Sequence, residues 1–181
     1  MLRSALKSTA VLVLLGTLAA TPGAAQQGDP TPGARGFAAF LGYSAPICLA
    51  QSAPACVEAG WRFADRDRSG TISLGEFETV REELRAWLAW PGNGIRPAER
   101  RGVLLGLMIV KAVGLARLVE SYDSDGDAAL SRAELLSDVT LDQRPLGEVL
   151  SDSSAVDWDS LRRRLGALAP ALGTIAPSGE E

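Results

Sequence analysis

The chain has 181 residues, 18 basic against 22 acidic side chains, and no histidine. That length holds one domain or two small ones, and 46% hydrophobic residues suffice for a core. The acidic balance argues against nucleic acid as a partner, and the missing histidine excludes histidine-based catalysis and histidine-ligated zinc.

Residues 1–25 differ from the rest. Arg3 and Lys7 form a basic start, Ala10–Ala20 an apolar run, and Gly23, Ala24 and Ala25 offer small residues before Gln26. This is the layout of a secretory signal peptide, with an uncleaved anchor as the alternative. The apolar run falls short of the about 20 residues that span a bilayer. Cleavage there would leave 16 basic against 22 acidic residues, a net charge of −6. The expected mature protein is exported, periplasmic or secreted, and has no membrane span. Residues 26–35 are rich in Pro and Gly and read as a disordered lead-in. A short helix is expected over Gly36–Leu49. The only cysteines, Cys48 and Cys56, are an even pair in an exported chain, so a disulfide is expected. Eight residues of unbroken helix would hold their Cα atoms about 12 Å apart, too far for a bridge. Ser52 and Pro54 lie between them and break such a helix. Two buried free thiols are the alternative.

Asp65–Glu76 reads D-R-D-R-S-G-T-I-S-L-G-E. Oxygen-bearing residues stand at positions one, three, five, nine and twelve of a twelve-residue frame, with Gly70 at six. Ca²⁺ is a hard cation that takes six to eight oxygen ligands in a flexible shell. Asp65, Asp67 and Ser69 would offer side-chain oxygens and Thr71 its carbonyl. Ser73 would act through a water and Glu76 with both carboxylate oxygens. The stretch resembles the loop of the EF-hand superfamily; a polar turn followed by a helix cap is the plainer alternative. Asp123–Glu134, D-S-D-G-D-A-A-L-S-R-A-E, repeats the frame. Here Asp123, Asp125, Asp127, Ala129 (through its carbonyl), Ser131 and Glu134 take the ligand positions. Position six is Ala128 where the family has glycine, a substitution costing about 1–2 kcal/mol in left-handed backbone. Against that, the second loop carries four carboxylates and the first three.

The helix entering the first loop is expected over Cys56–Ala64, anchored by Trp61 and Phe63. The exit helix, Leu74 to about Trp90, has Phe77, Val80, Leu84, Trp87 and Leu88 on one stripe. Trp87 and Trp90 read as core contacts, with a partner-binding patch as the alternative. Ile95–Tyr122 reads as a buried helix, with Met108 in the core and glycines that divide it into two pieces. The exit helix after Glu134 is expected to be short, ending at Pro145. Residues 149–160 resemble a vestigial, ion-free EF-hand loop, with Val156 at position eight and Asp157 at nine. An ordinary helix capped by Ser154 or Asp157, with Trp158, Leu161, Leu165 and Leu168 inward, is the alternative. Residues 171–181 read as a flexible tail.

The expected fold is all-α: an EF-hand helix-loop-helix pair with additional flanking helices, over residues 36–170. The resemblance implies two Ca²⁺ ions and an antiparallel bridge between Thr71–Ser73 and Ala129–Ser131. Dockerin-like modules also repeat Asp-rich loops, but lack the entering helix and typically end in Asp. No nucleophile motif supports an enzyme. The expected function is structural or constitutive calcium binding; a calcium-responsive sensor that offers an apolar groove to a protein partner is the alternative.

Overall fold

The computed structural model describes residues 28–165, and the fold is all-α. The signal peptide expected at 1–25 and the tail expected at 171–181 lie outside the described residues.

Helix α1 spans Pro32–Ala50. It begins four residues before Gly36, inside the expected lead-in. Thr31 accepts the Ala34 N–H as N-cap, Pro stands in the first turn where its missing N–H costs nothing, and Ala34 is fully buried. Helix α2 spans Ala53–Ala64. The chain breaks at Gln51 and Ser52, while Pro54 sits in the first turn of α2. Pro54 therefore starts a helix instead of breaking one. The reversal brings the Cα atoms of Cys48 and Cys56 to 4.5 Å, and the two are joined as a disulfide.

Strand β1 (Ile72–Ser73) follows the first loop and leads into α3 (Leu74–Ala89). Helix α4 spans Pro97–Val113 and α5 Leu115–Tyr122, bent by 80° at Gly114, whose φ of 89° a side chain would resist. Strand β2 (Ala129–Leu130) leads into α6 (Arg132–Leu135), a single turn. Helix α7 (Leu146–Ser151), a 3₁₀ turn (Ser153–Ala155) and α8 (Trp158–Leu165) complete the described chain. Val139 lies in an antiparallel bridge with Val156, outside any helix.

The main core joins α1 to α3 through Ala34, Phe37, Trp87 and Leu88. Phe40 stacks on Phe63 with ring centroids 4.1 Å apart, and Phe37 meets Trp87 at 5.6 Å. Trp87 is thus a core residue, and Trp90 packs beside it with its indole N–H donated to the Gly28 carbonyl. A second cluster lies under the loops: Trp61, Ala64 and Ile72, with Phe77, Val80 and Leu135 against them. A third unites Ala53, Val149 and Ala155.

The expectation of a buried 95–122 helix is corrected for α4, which has no buried residue. Val103 and Leu107 reach the main core, but Leu104 is 42% and Met108 66% exposed. One helix stripe satisfies the core contact, and the apolar residues on the neighbouring stripe are left outside. In α5 the inward residue is Val119.

Candidate metal centre

Both loops are framed by the same local devices. Asp65 and Asp123 cap the C-termini of α2 and α5, their N–H groups bonded to the Trp61 and Val119 carbonyls. At the other end, Ser73 and Ser131 are N-caps in reciprocal capping boxes with Glu76 and Glu134. A Ser-x-x-Glu box fixes the glutamate against the first turn of the helix. That local rule sets where the position-twelve carboxylate stands in each loop.

The carboxylates then face inward in matching register. Asp65 accepts the Ser69 and Gly70 N–H groups, both at 3.0 Å. Asp123 accepts the Gly126 N–H at 2.7 Å and the Ala128 N–H at 3.0 Å. Glu76 reaches back across its loop to the Arg66 N–H at 2.8 Å, with its other oxygen on the Ser73 N–H at 2.9 Å. Glu134 repeats this on the Ser124 N–H at 2.7 Å and the Ser131 N–H at 2.9 Å. The result is two groups, Asp65 with Asp67 and Glu76, and Asp123 with Asp125 and Glu134. Within each, one oxygen per carboxylate lies within 4.8 Å of the others.

The remaining expected ligands sit around these groups. Ser69 donates its hydroxyl to the Thr71 carbonyl at 3.0 Å. Ser73 and Ser131 serve as caps. Asp127 lies outside the second group and accepts the Ala129 N–H at 2.8 Å.

These hydrogen bonds favour the charged carboxylates. The Ser131 and Ser124 N–H groups, then their hydroxyls, hold the Glu134 carboxyl down at about 2. Burial pushes Glu76 up, but the Ser73, Arg66 and Asp67 donors outweigh it and leave it below its ordinary value. The Ser69 hydroxyl and N–H lower Asp67. Each loop thus gathers carboxylate oxygens with no nitrogen or sulfur side-chain donor in the group. That donor set fits a hard divalent cation such as Ca²⁺ and fits a soft transition metal poorly.

The loops are tied together. Strands β1 and β2 pair antiparallel, Ile72 with Leu130 and Ser73 with Ala129. Arg132, just past the second loop, pairs with Glu58 of α2 at 2.8 Å and covers the Trp61 ring at 5.1 Å.

The left-handed backbone expected at position six is present, but its recurrence at position four, and a second feature, were not foreseen from the sequence. Left-handed backbone occurs at positions four and six of both loops: Arg68 (φ 60°) and Gly70 (φ 88°), then Gly126 (φ 79°) and Ala128 (φ 66°). Each loop therefore strains one non-glycine residue, and the glycine has only changed places. The Asp-Gly pair at 125–126 was the available signal, since glycine marks such turns. The second feature is a polar cluster behind the second loop. Tyr122 donates its hydroxyl to Asp138 at 2.6 Å, and Arg164 pairs with the same carboxylate at 3.1 Å while lying 4.0 Å over the Tyr122 ring. Burial, then the Asp138 carboxylate, raises the Tyr122 hydroxyl above its ordinary value.

Residues 149–160 form no third group of this kind. Position one would be Val149, fully buried in apolar surroundings. Asp152 is engaged by Ser154 and Arg144, and Asp157 caps α8 by accepting the Ser160 N–H at 2.8 Å.

Comparison with protein families, with curated proteins and with solved structures finds no match to this chain.

Proposed function

We propose that the protein is an exported calcium-binding protein with two EF-hand-type loops, in which the ions serve the fold. The observation that carries this reading is the duplication. Two loops 58 residues apart hold an Asp, Asp, Glu group in the same register and meet edge to edge through β1 and β2. Separate polar turns have no reason to share such a frame.

Asp65, Asp67 and Glu76 would hold one ion, and Asp123, Asp125 and Glu134 the other, with the Ser69, Thr71, Asp127 and Ala129 oxygens close in sequence to complete the shells. A bound divalent cation would supply the positive charge that three clustered carboxylates lack. The chain's own part is to gather those carboxylates beforehand, through the capping boxes and loop N–H groups. The Trp61, Ile72 and Leu135 cluster packs the two loops against α2 and α3 from below. A ligand that binds only the folded chain at a hundred times its Kd adds about 2.7 kcal/mol of stability. The Cys48–Cys56 disulfide agrees with an oxidising, extracytoplasmic setting.

Calorimetry with Ca²⁺ tests the reading. The wild type should bind two ions, and Glu76→Gln and Glu134→Gln should each lose one. Full stoichiometry in either variant overturns the assignment of that loop. A hydrophobic dye added during the titration separates the roles. Stabilisation without new dye binding fits a structural ion, and a sharp rise in dye binding by the folded protein fits a sensor.

A further inference from the structure

We propose that the outer face of α3 and α4 docks on an anionic lipid surface. The proposal stands apart from the calcium reading and uses none of its residues. Its basis is a groove between the two helices, lined by Leu88 and Ala89 of α3 and by Leu104, Leu107 and Met108 of α4, with Arg85, Arg100 and Lys111 around it. No acidic side chain lines it.

The arrangement follows from the α4 sequence. Val103 and Leu107 turn to the core, so the next stripe, Arg101, Leu104, Met108 and Lys111, faces out at three- and four-residue spacing. Its two middle members are large exposed apolar side chains, Leu104 at 42% and Met108 at 66%. Its two ends are cations. Arg85, Arg100, Arg101 and Lys111 form no ion pair among the described residues, whereas seven other arginines do. In a chain of net charge −4, the charged residues that line this groove are all positive.

An apolar stripe bracketed by long basic side chains suits a helix lying in the plane of a bilayer interface. Leu and Met enter the acyl boundary, and Arg and Lys extend to the headgroups. No single helix among the described residues is long and apolar enough to cross a membrane; α4 and α5 reach that length and apolarity only together, across the 80° bend at Gly114. Headgroups surround the stripe from every side and meet all four cations together. A peptide in the groove would need carboxylates at both ends of α4 and again beside α3, which makes the lipid surface the better match.

The test uses the full chain with vesicles of phosphatidylcholine alone, or mixed with phosphatidylglycerol. Binding to the mixed vesicles should exceed binding to the neutral ones and fall with salt. Each neutralised cation should weaken it about fivefold, so Arg101→Gln with Lys111→Gln costs about 25-fold. Leu104→Gln with Met108→Gln should cost at least about tenfold. Residues 1–25 carry an apolar run of their own, so the contact must be located. An environment-sensitive fluorophore on Met108→Cys should shift to the blue on anionic vesicles, and the same label on exposed Glu148→Cys of α7, away from this face, should not. Circular dichroism of the labelled and substituted chains checks that each is folded. Equal binding to both vesicle types, a silent label at position 108, or substituted chains that bind like wild type would overturn the proposal. So would preferential binding of an acidic amphipathic peptide, which would assign the face to a protein partner.

Discussion

Ala128→Gly should stabilise the protein, because Ala128 holds a φ of 66° that a Cβ resists. An L-residue in this region costs about 1–2 kcal/mol relative to the right-handed helix. Glycine removes that cost but gives the unfolded chain more freedom, worth about 0.4–1 kcal/mol in the other direction. The net gain is about 0.5–1 kcal/mol, or roughly 1–4 °C in Tm for a chain of this size. Little else changes, since Ala128 is exposed and its hydrogen bond to Asp123 runs from the backbone N–H. The reciprocal change isolates the cause. A Cβ at Gly126 would meet nothing within 4 Å, yet its φ is 79°. Gly126→Ala should therefore destabilise by a net of about 0.5–1 kcal/mol, the strain less the stiffening of the unfolded chain. Urea unfolding in chelator measures both without a ligand contribution. A destabilised Ala128→Gly, or a harmless Gly126→Ala, would refute the left-handed geometry at positions four and six.

Opening the Cys48–Cys56 bridge frees a nine-residue loop, so Cys48→Ser with Cys56→Ser should cost about 2–3 kcal/mol in the chain-entropy model, read as a lower urea midpoint. Peptide mapping without reductant should recover the two cysteines joined. Arg164→Gln should cost about 2 kcal/mol, because Asp138 is 5% exposed and would lose its charge partner while keeping only neutral hydroxyl donors such as Tyr122; a loss under about 0.5 kcal/mol would mark the cluster as inert. Asp152 is held at about 2, first by the Ser154 hydroxyl and then by Arg144, against an ordinary 3.8. A lowered folded value means its stabilisation is complete above pH 3.8 and disappears as pH falls through about 2. Thermal melts of Asp152→Asn should therefore lie below wild type at pH 5 and converge with it near pH 2.

The parts of the fold governed by local rules were legible in the sequence. The two Asp-to-Glu frames sit at helix ends because Ser73 with Glu76, and Ser131 with Glu134, are capping boxes that act within four residues. The stripe of α3 was readable for the same reason, since periodicity is local, and Trp87 and Leu88 are buried as it implies. Tertiary partners decided what was misread. Hydrophobicity alone put Met108 in the core, but α4 has only one neighbouring face to fill, so its second apolar stripe stays outside. Pro54 looked like a breaker because its effect depends on whether it falls in a first turn or an interior turn. The Tyr122, Asp138 and Arg164 cluster joins residues up to 42 positions apart, beyond any local pattern.

The contrast between the two loops shows how much freedom the frame leaves. Positions one and twelve carry the same side chains in both, and the N–H groups of positions two and six point at them in each loop. Position one takes its other N–H from position five in the first loop and from position four in the second. Positions four and six exchange glycine for a strained residue, at a cost of similar size in each loop. A loop could avoid the cost with glycine at both, but neither does. Hydrogen bonds from the Ser69 and Gly70 N–H groups to Asp65, and from Gly126 and Ala128 to Asp123, need the left-handed turns whatever side chain occupies them. Each such bond contributes about 0.5–1.5 kcal/mol, so the pair in each loop can offset one strained residue. The loop geometry is therefore set by its carboxylates and their backbone donors, with glycine a secondary aid. This is why Ala128 at position six leaves the second loop in register with the first, and why the pairing of Ile72 with Leu130 can form between them.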